Sequence, residues 1–201
     1  MIVDKNNKTS PRKLVILREA ACLFREKGYM ASTLRELAKR SGVQGGSIYH
    51  HFSSKQEILY HIMDYTMTNL VFNLKESIKG EKDPVEKLKK AIRFHIEYHV
   101  QNTDETHVTD SEIRSLTKGK YDRIVRKRRN YEKIFSQILE EGIKRGGMVV
   151  NDIKLVTIAI LQMCTGISYW FKEDGSLTVD EIADEYISFS CWGVIGKIRK
   201  R

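Results

Sequence analysis

Residues 44 to 51 read Gln44-Gly45-Gly46-Ser47-Ile48-Tyr49-His50-His51, polar and aromatic groups set around one aliphatic side chain. On a short helix this order turns Ile48 inward and presents Ser47, Tyr49 and His50 outward, with Gln44 just ahead. Amide, hydroxyl and imidazole groups suit hydrogen bonding to base edges in a DNA major groove. Cations to meet the flanking phosphates stand close by in sequence, at Arg35, Lys39, Arg40 and Lys55. A second constellation, His95-Ile96-Glu97-Tyr98-His99, puts two imidazoles at i and i+4 on one helix face, a spacing that can hold a metal. A metalloprotease helix needs glutamate directly after the first histidine, and here Ile96 stands there. His107 and Glu112 complete a metal site only if the fold brings them together. Packed core or pocket histidines are the commoner use of such a pair, and neither a metal nor a cofactor is expected. GxSxG, P-loop, dinucleotide and paired-cysteine motifs are all missing from the sequence, so no enzyme is expected.

The elements that must position these groups are helical. Ser10-Pro11 is a cap residue followed by proline at the first helical position. Leu14, Leu17, Ala20, Ala21 and Phe24 recur at spacings of three and four until Gly28. Thr33 with Glu36 three residues on makes a capping box for a second helix. Ser41-Gly42-Val43 reads as a tight turn, Gly45 to His51 as a third helix, and Lys55 to about Lys79 as a fourth. Two short helices around a glycine turn have helix-turn-helix spacing, although any small helical hairpin places glycine at its turn. A fifth helix follows Pro84, with Leu88, Ala91, Ile92, His95, Ile96 and His99 on one stripe. Residues 102–109 read as a polar connection. A sixth helix holds Glu112, Ile113 and Leu116, Lys118-Gly119 interrupts, and a seventh runs from about Tyr121 to Lys144. An eighth spans about Asp152 to Phe171, and Thr178 with Glu181 caps the last. The fold class is all-α, about nine helices, with alternating strand patterns essentially absent.

Composition narrows the partners. The net charge is +9, and residues 1–60 carry +6 of it, so a polyanion is expected at that end. Cys22, Cys164 and Cys191 are odd in number, form no CxxC and lie in apolar stretches, as buried thiols of a reducing cytosol do. A redox sensor is the alternative, but nothing near them marks a lowered pKa. Residues 1–9 are polar and expected to be loose, and the N-terminus lacks the apolar core of a signal peptide, so a cytoplasmic location is expected. The uncharged run from Leu155 to Phe171 is short for a membrane span and holds Thr157, Gln162, Thr165 and Ser168; a helix inside a protein fits better, and no membrane partner is expected.

Thr33-Leu34-Arg35-Glu36-Leu37-Ala38, Ser41-Gly42-Val43, Gly46-Ser47-Ile48-Tyr49-His50-His51-Phe52 and Ser54-Lys55 together resemble the N-terminal signature of TetR-family transcriptional regulators. Ala20 to Phe24 and Lys27-Gly28-Tyr29 fit the first helix of that signature. The resemblance covers about residues 10–70, with the motif at 33–52. It implies a DNA-binding domain there, a ligand-binding and dimerisation domain over 71–201, and a ligand-responsive repressor binding a palindromic operator in double-stranded DNA. It places Thr33 and Lys55 at backbone phosphates, each at a helix N-terminus. It sets Tyr49 against the sugar-phosphate chain, with Arg35, Gln44, Ser47 and His50 reaching bases. Gly45-Gly46 departs from relatives that carry a side chain there, which implies close approach and fewer contacts at that edge. His51 meets a phosphate or packs beside Phe52.

The last two helices carry apolar residues on more than one stripe, up to Ile198 before a basic tail. In the resembling family these helices pair with their twins, which implies a homodimer, with Thr165 and Ile187 on the shared face. An effector pocket is expected from Phe72, Phe94, His95 and Tyr98, from Ile113 and Leu116, from Tyr131 and Phe135, and from Met163, Gly166 and Trp170. Glu112-x-Arg114 and the long seventh helix resemble members that sense fatty acyl-CoA or related CoA thioesters. Lys118 to Lys133 holds 8 basic and 2 acidic residues, so Arg126 and Arg129 are candidates for the CoA phosphates, although a charge run is more often a solvated face. A drug-like or metal effector is the alternative within the same class. A helical enzyme or a membrane-surface protein is the alternative outside it.

Overall fold

The computed structural model describes residues 10–194; the readings placed on residues 1–9 and on the tail from Ile198 lie outside them. The described residues contain no strand. They form α1 (Pro11–Lys27), α2 (Leu34–Arg40), α3 (Gly45–His51), α4 (Lys55–Ser77), α5 (Pro84–Gln101), α6 (Thr103–Ser111), α7 (Lys118–Lys144), α8 (Ile153–Thr165), α9 (Ile167–Trp170) and α10 (Val179–Val194). A 3-10 turn covers Ile113–Ser115. Nine of these helices have seven or more residues, and α9 is a single turn continuing α8 past a break at Gly166. The chain divides into two compact units. Of the described residues, one takes those up to Asn69 together with Asn102–Lys127, and the other takes Leu70–Gln101 with those from Arg128. Both α4 and α7 therefore contribute to each unit.

In the first unit the terminal signals act as the sequence implies. The Ser10 hydroxyl accepts from Lys13 N at 3.3 Å, and Gly28, at φ 80°, closes α1 with its N–H on Phe24 O at 2.8 Å. The capping box at α2 is complete: Thr33 Oγ1 accepts from Glu36 N at 3.2 Å, and Glu36 Oε2 accepts from Thr33 N at 3.0 Å. Gly42 takes φ 64°, which turns the chain from α2 toward α3. Ile16, Leu17, Ala20 and Phe24 of α1 are buried, as are Leu37 of α2, Ile48 of α3, Phe52, and Leu59 and Ile62 of α4.

One element departs from the sequence reading. Residues 102–109, expected as a polar connection, fall instead at the cap and within α6, which packs against α1. Its buried face is Glu105, Thr106, Val108 and Thr109, which shows no apolar period. The threonine hydroxyls donate back to Asn102 O at 2.9 Å and Glu105 O at 2.7 Å, so their polarity is satisfied within the helix. Glu112, Ile113 and Leu116, expected on a helix, lie on the 3-10 turn and its two ends, and α7 begins at Lys118, through the pair expected to interrupt it.

The second unit is organised around α5, whose six expected stripe residues are all buried, and which packs against α8, α9 and α10. Tyr131, Phe135, Ile138 and Leu139 of α7 are buried as well. Four polar side chains sit inside this core with bonds made. His95 Nδ1 lies 2.9 Å from the Tyr131 hydroxyl and Nε2 lies 3.0 Å from Thr165 Oγ1. His99 Nδ1 donates to His95 O at 2.9 Å, and the two imidazoles stack with centroids 4.1 Å apart. Burial disfavours the charged imidazolium, so His95 titrates well below the usual histidine range, helped by its neighbour His99, and burial holds His99 down at about 4.

Both histidines are neutral in the folded state at pH values where the unfolded chain, titrating near 6.5, takes up protons. Stability from these groups is thus fully present above pH 6.5 and is lost as pH falls from there toward 4. The expected loss is about 1.4 kcal/mol per pH unit for each imidazole. Urea unfolding at a series of pH values checks this, and His99→Gln should make the dependence shallower. Equal stability at both ends of that window would count against it.

Candidate nucleic-acid interface

The third helix is divided as its sequence requires. Ile48 is fully buried, whereas the next residue, Tyr49, is 62% exposed. Gln44, Gly46 and His50 are exposed, and Ser47 and His51 are half-buried. Gly45 opens the helix, and the Ser47 N–H donates to Gln44 O at 2.8 Å. Side chains that can bond to bases thus face solvent on a helix braced by Ile48 and Phe52, with Lys13 Nζ lying 4.9 Å over the Phe52 ring. With glycine at positions 45 and 46, a ligand's backbone can come close.

The expected phosphate partners fall into two groups. Arg35 and Lys39 are exposed on α2. Arg40 is held by carboxylates instead: its guanidinium donates to both oxygens of Glu26, at 2.6 and 2.8 Å, and to Glu19 at 3.0 Å. That pairing holds the Glu26 carboxyl down at about 2. Burial, followed by a hydrogen bond to Glu26, pushes the Cys22 thiol up to about 12, so it is not a reactive thiolate. Thr33 is exposed, but its N–H already meets the Glu36 carboxylate, which also pairs with Lys27 at 2.6 Å. Lys55, expected at a phosphate, instead directs its ammonium at backbone carbonyls of residues 29, 30 and 32.

The candidate effector residues separate in the same way. His95, Tyr131 and Phe135 form one buried cluster in the second unit, with the Phe135 ring edge-on to His95 and 5.7 Å from Tyr131. Phe94 and Tyr98, 5.7 Å apart, are half-buried in that unit, as are Met163 and Gly166. Phe72 and Trp170 are exposed. Thr165, expected on the dimer face, is turned to His95. Glu112, Ile113, Leu116 and Arg126 belong to the first unit, and Glu112 spends its carboxylate there on Tyr29 and Ser115. In the basic run of α7, Lys120 pairs with Glu57 and Lys127 with Asp64, each at 2.6 Å, whereas Arg126 and Arg129 are exposed. No group of three or more histidine, cysteine or acidic side chains that could hold a metal ion occurs among the described residues.

Sequence reasoning missed Gln56 and Ser115, which join the start of α4 to the 3-10 turn, because nothing near either residue announces a partner 59 positions away. It named apolar excess in the last helices without saying which residues stay uncovered. Those include Leu155, Ile158, Phe189 and Trp192. Ile153–Trp170 is long and apolar enough to cross a membrane, but Gly166 breaks it, and Thr157, Ile160, Leu161, Cys164, Ile167 and Ser168 are buried in the second unit.

Comparison with known proteins bears on this arrangement. Residues 16–62 match the bacterial regulatory proteins of the tetR family, and residues 81–194 match the tetracyclin repressor-like C-terminal domain. The chain is 25% identical over 187 residues to the HTH-type transcriptional repressor KstR2 of Rhodococcus jostii (strain RHA1), covering 92% of each chain. It superposes with a TM-score of 0.81 on the TetR family transcriptional regulator PfmR from Thermus thermophilus, at 31% identity, covering 87% of this chain and 96% of that one. The structure of AibR in complex with isovaleryl coenzyme A and operator DNA gives 0.83 at 26% identity, covering 89% and 97%. With α3 and its glycine turn inside the first match and more than half of the sequence inside the second, the chain belongs to the TetR family of bacterial regulatory proteins.

Proposed function

We propose that this chain is a ligand-responsive repressor of transcription that acts in the cytoplasm and binds palindromic operator DNA as a homodimer. The observation that carries the reading is the division of α3, with Ile48 inside and Tyr49 and His50 in solvent. On this reading residues 10–70 read DNA and residues 71–201 hold the effector and the dimer contact. Gln44, Ser47, His50 and Arg35 contact bases and Tyr49 packs on the sugar-phosphate chain, while the backbone at Gly45 and Gly46 comes close to the groove wall. Tyr49→Ala should weaken binding at every sequence alike. Ser47→Ala or His50→Ala should change base preference by about 1–3 kcal/mol per contact. Fluorescence anisotropy on the DNA flanking the coding region checks this, and equal affinity for that DNA and random DNA at physiological salt would sink the reading.

Uncovered apolar surface supports the dimer. Leu155 is 64%, Phe189 71% and Trp192 81% exposed, on α8 and α10, a concentration that a lone chain rarely leaves in water. A two-fold pair joined there suits a palindrome, whose half-sites lie about 34–36 Å apart in neighbouring major grooves. Ile158→Glu and Phe189→Glu should yield monomers with poor operator binding. Sedimentation of both as unchanged dimers would remove α8 and α10 from the interface.

For the effector we favour a fatty acyl-CoA or related CoA thioester. The support is an aromatic core with neutral hydrogen-bonding groups at His95, Tyr131 and Thr165, together with exposed Arg129 and Lys133 on α7 for phosphates. The AibR complex shows a relative that takes such a ligand. An apolar chain wedged at Phe94 and Tyr98 would displace α4 near Phe72, and α4 is a continuous helix reaching Lys55. A coupling of about 1–3 kcal/mol gives 5–150-fold release of DNA. In a thermal-shift screen CoA thioesters should stabilise the chain, and Arg129→Glu should abolish the response with operator affinity intact. Stabilisation by a metal or a planar cation, and by no CoA thioester, would discard this effector and leave the repressor reading standing.

A further inference from the structure

The buried polar chain of the second unit holds one hydrogen more than it has bonds for. Tyr131, His95 and Thr165 bring a phenol O–H, one imidazole N–H and a hydroxyl O–H, since burial keeps His95 neutral. Two bonds join them, Tyr131 to Nδ1 at 2.9 Å and Thr165 to Nε2 at 3.0 Å. With the hydrogen of His95 on Nε2, Tyr131 donates to Nδ1 and the threonine hydrogen is left over. With that hydrogen on Nδ1, Thr165 donates to Nε2 and the Tyr131 hydrogen is left over. Neither tautomer uses all three, and no acceptor for the third lies among the described residues. His99 has the opposite deficit. Its Nδ1 hydrogen goes to His95 O at 2.9 Å, so Nε2 is a bare acceptor, and no donor meets it among the described residues. Both deficits are deep in the core, where His95 and His99 are 3% and Tyr131 is 4% exposed. They are also neighbours, because the two imidazoles stack with centroids 4.1 Å apart. The Tyr98 ring stands 6.4 Å from His99 and 5.7 Å from Phe94, and both of these aromatics are half-buried, so an apolar chain seated beside them reaches the cluster.

One chemical group answers both deficits. A hydroxyl accepts the spare hydrogen and gives its own to His99 Nε2. A ketone only accepts, and a methylene does neither. A carboxylate only accepts as well, and it brings a charge into a core built of neutral groups. We infer that the effector carries an uncharged hydroxyl on its acyl part, and that Tyr131, His95, Thr165 and His99 together recognise it. This inference rests on the CoA-thioester reading above and narrows it from acyl groups in general to hydroxylated ones. Buried polar groups discriminate in this way because an analogue lacking the oxygen leaves them unpaired, whereas an apolar wall barely distinguishes the two.

Isothermal titration calorimetry of the full chain tests this with a matched set of ligands. The set is dodecanoyl-CoA, the same thioester with a hydroxyl or a ketone on the third or the penultimate carbon, and one ending in a carboxylate. One of the hydroxylated thioesters should bind on the order of tenfold or more tightly than dodecanoyl-CoA, with its ketone counterpart between them and the carboxylate weakest. His99→Phe keeps a ring on His95 and removes the bare acceptor. In that variant the hydroxyl and the ketone should bind alike, both still more tightly than the saturated chain. A merely structural role for His99 would weaken every thioester in proportion and keep the wild-type order, which would overturn the proposal. Dodecanoyl-CoA binding as tightly as both hydroxylated thioesters would overturn it too. Should His99→Phe not fold by far-UV circular dichroism, the wild-type order decides. Failure of every thioester to bind would overturn the effector reading and this proposal together; binding with no preference for a hydroxyl overturns this proposal alone.

Discussion

A helix of seven residues that begins with two glycines has no stability of its own in water, because nucleation fixes several residues for the first hydrogen bond and glycine loses the most conformational freedom. The whole first unit answers to that constraint. Ile48 and Phe52 supply the buried side of α3, α2 braces it across the Gly42 turn, and the Thr33–Glu36 box sets where α2 starts. Fully burying an isoleucine contributes about 1.5–3 kcal/mol toward holding this short helix, whose Gln44, Gly46, Tyr49 and His50 stay in solvent. Because stability comes from the inner side, the outer side is free to carry groups chosen for a partner. The exposed Tyr49 is the clearest sign of that freedom, since a large aromatic left 62% in solvent buries little apolar surface.

The second unit solves a different problem. Its core contains two imidazoles, a phenol and a threonine hydroxyl, which are costly to bury unless they bond to one another. They do so as a chain from Tyr131 through His95 to Thr165, with His99 stacked beside it and bonded to the α5 backbone. Such a chain ties α5, α7 and α8 at defined atoms, where an all-aliphatic core would tolerate sliding. It stays neutral, because desolvation presses the imidazoles toward their uncharged form and lifts the Tyr131 phenol well above its ordinary range. The Cys164 thiol nearby is pushed up to about 12 by the same burial and is inert.

Sequence order and spatial grouping part company between the two units. Residues 102–127 follow α5 in the chain yet fold with α1 to α3, through the Arg25–Asp104 pair, the Glu112 and Gln56 contacts, and the α7 cations on α4. The basic run of α7, which looks uniform as sequence, is therefore of two kinds. Lys120 and Lys127 hold helices together, and Arg126 and Arg129 stand in solvent.

What the sequence determined by itself was local. Ser10-Pro11, Thr33 with Glu36, Thr178 with Glu181, and glycines 28 and 42 act within three or four residues, so their spacing alone placed the helix ends. The α5 stripe was legible for a related reason, since one buried face repeats every 3.6 residues whatever covers it. The resemblance over residues 10–70 named the surface of α3, and the fold turns Tyr49 and His50 outward there. The distant partners of charged and amide side chains were decided only by the tertiary structure. Lys55 and Arg40 looked like free cations beside a reading helix, and they are held by carbonyls and carboxylates from α1 and the loop after it. The polar helix α6 was invisible because its buried face is threonine and glutamate, which carry no period that a solvated loop lacks. A hydrogen bond between residues 26 or 59 positions apart leaves no mark on the neighbours of either, so only the folded chain could choose it.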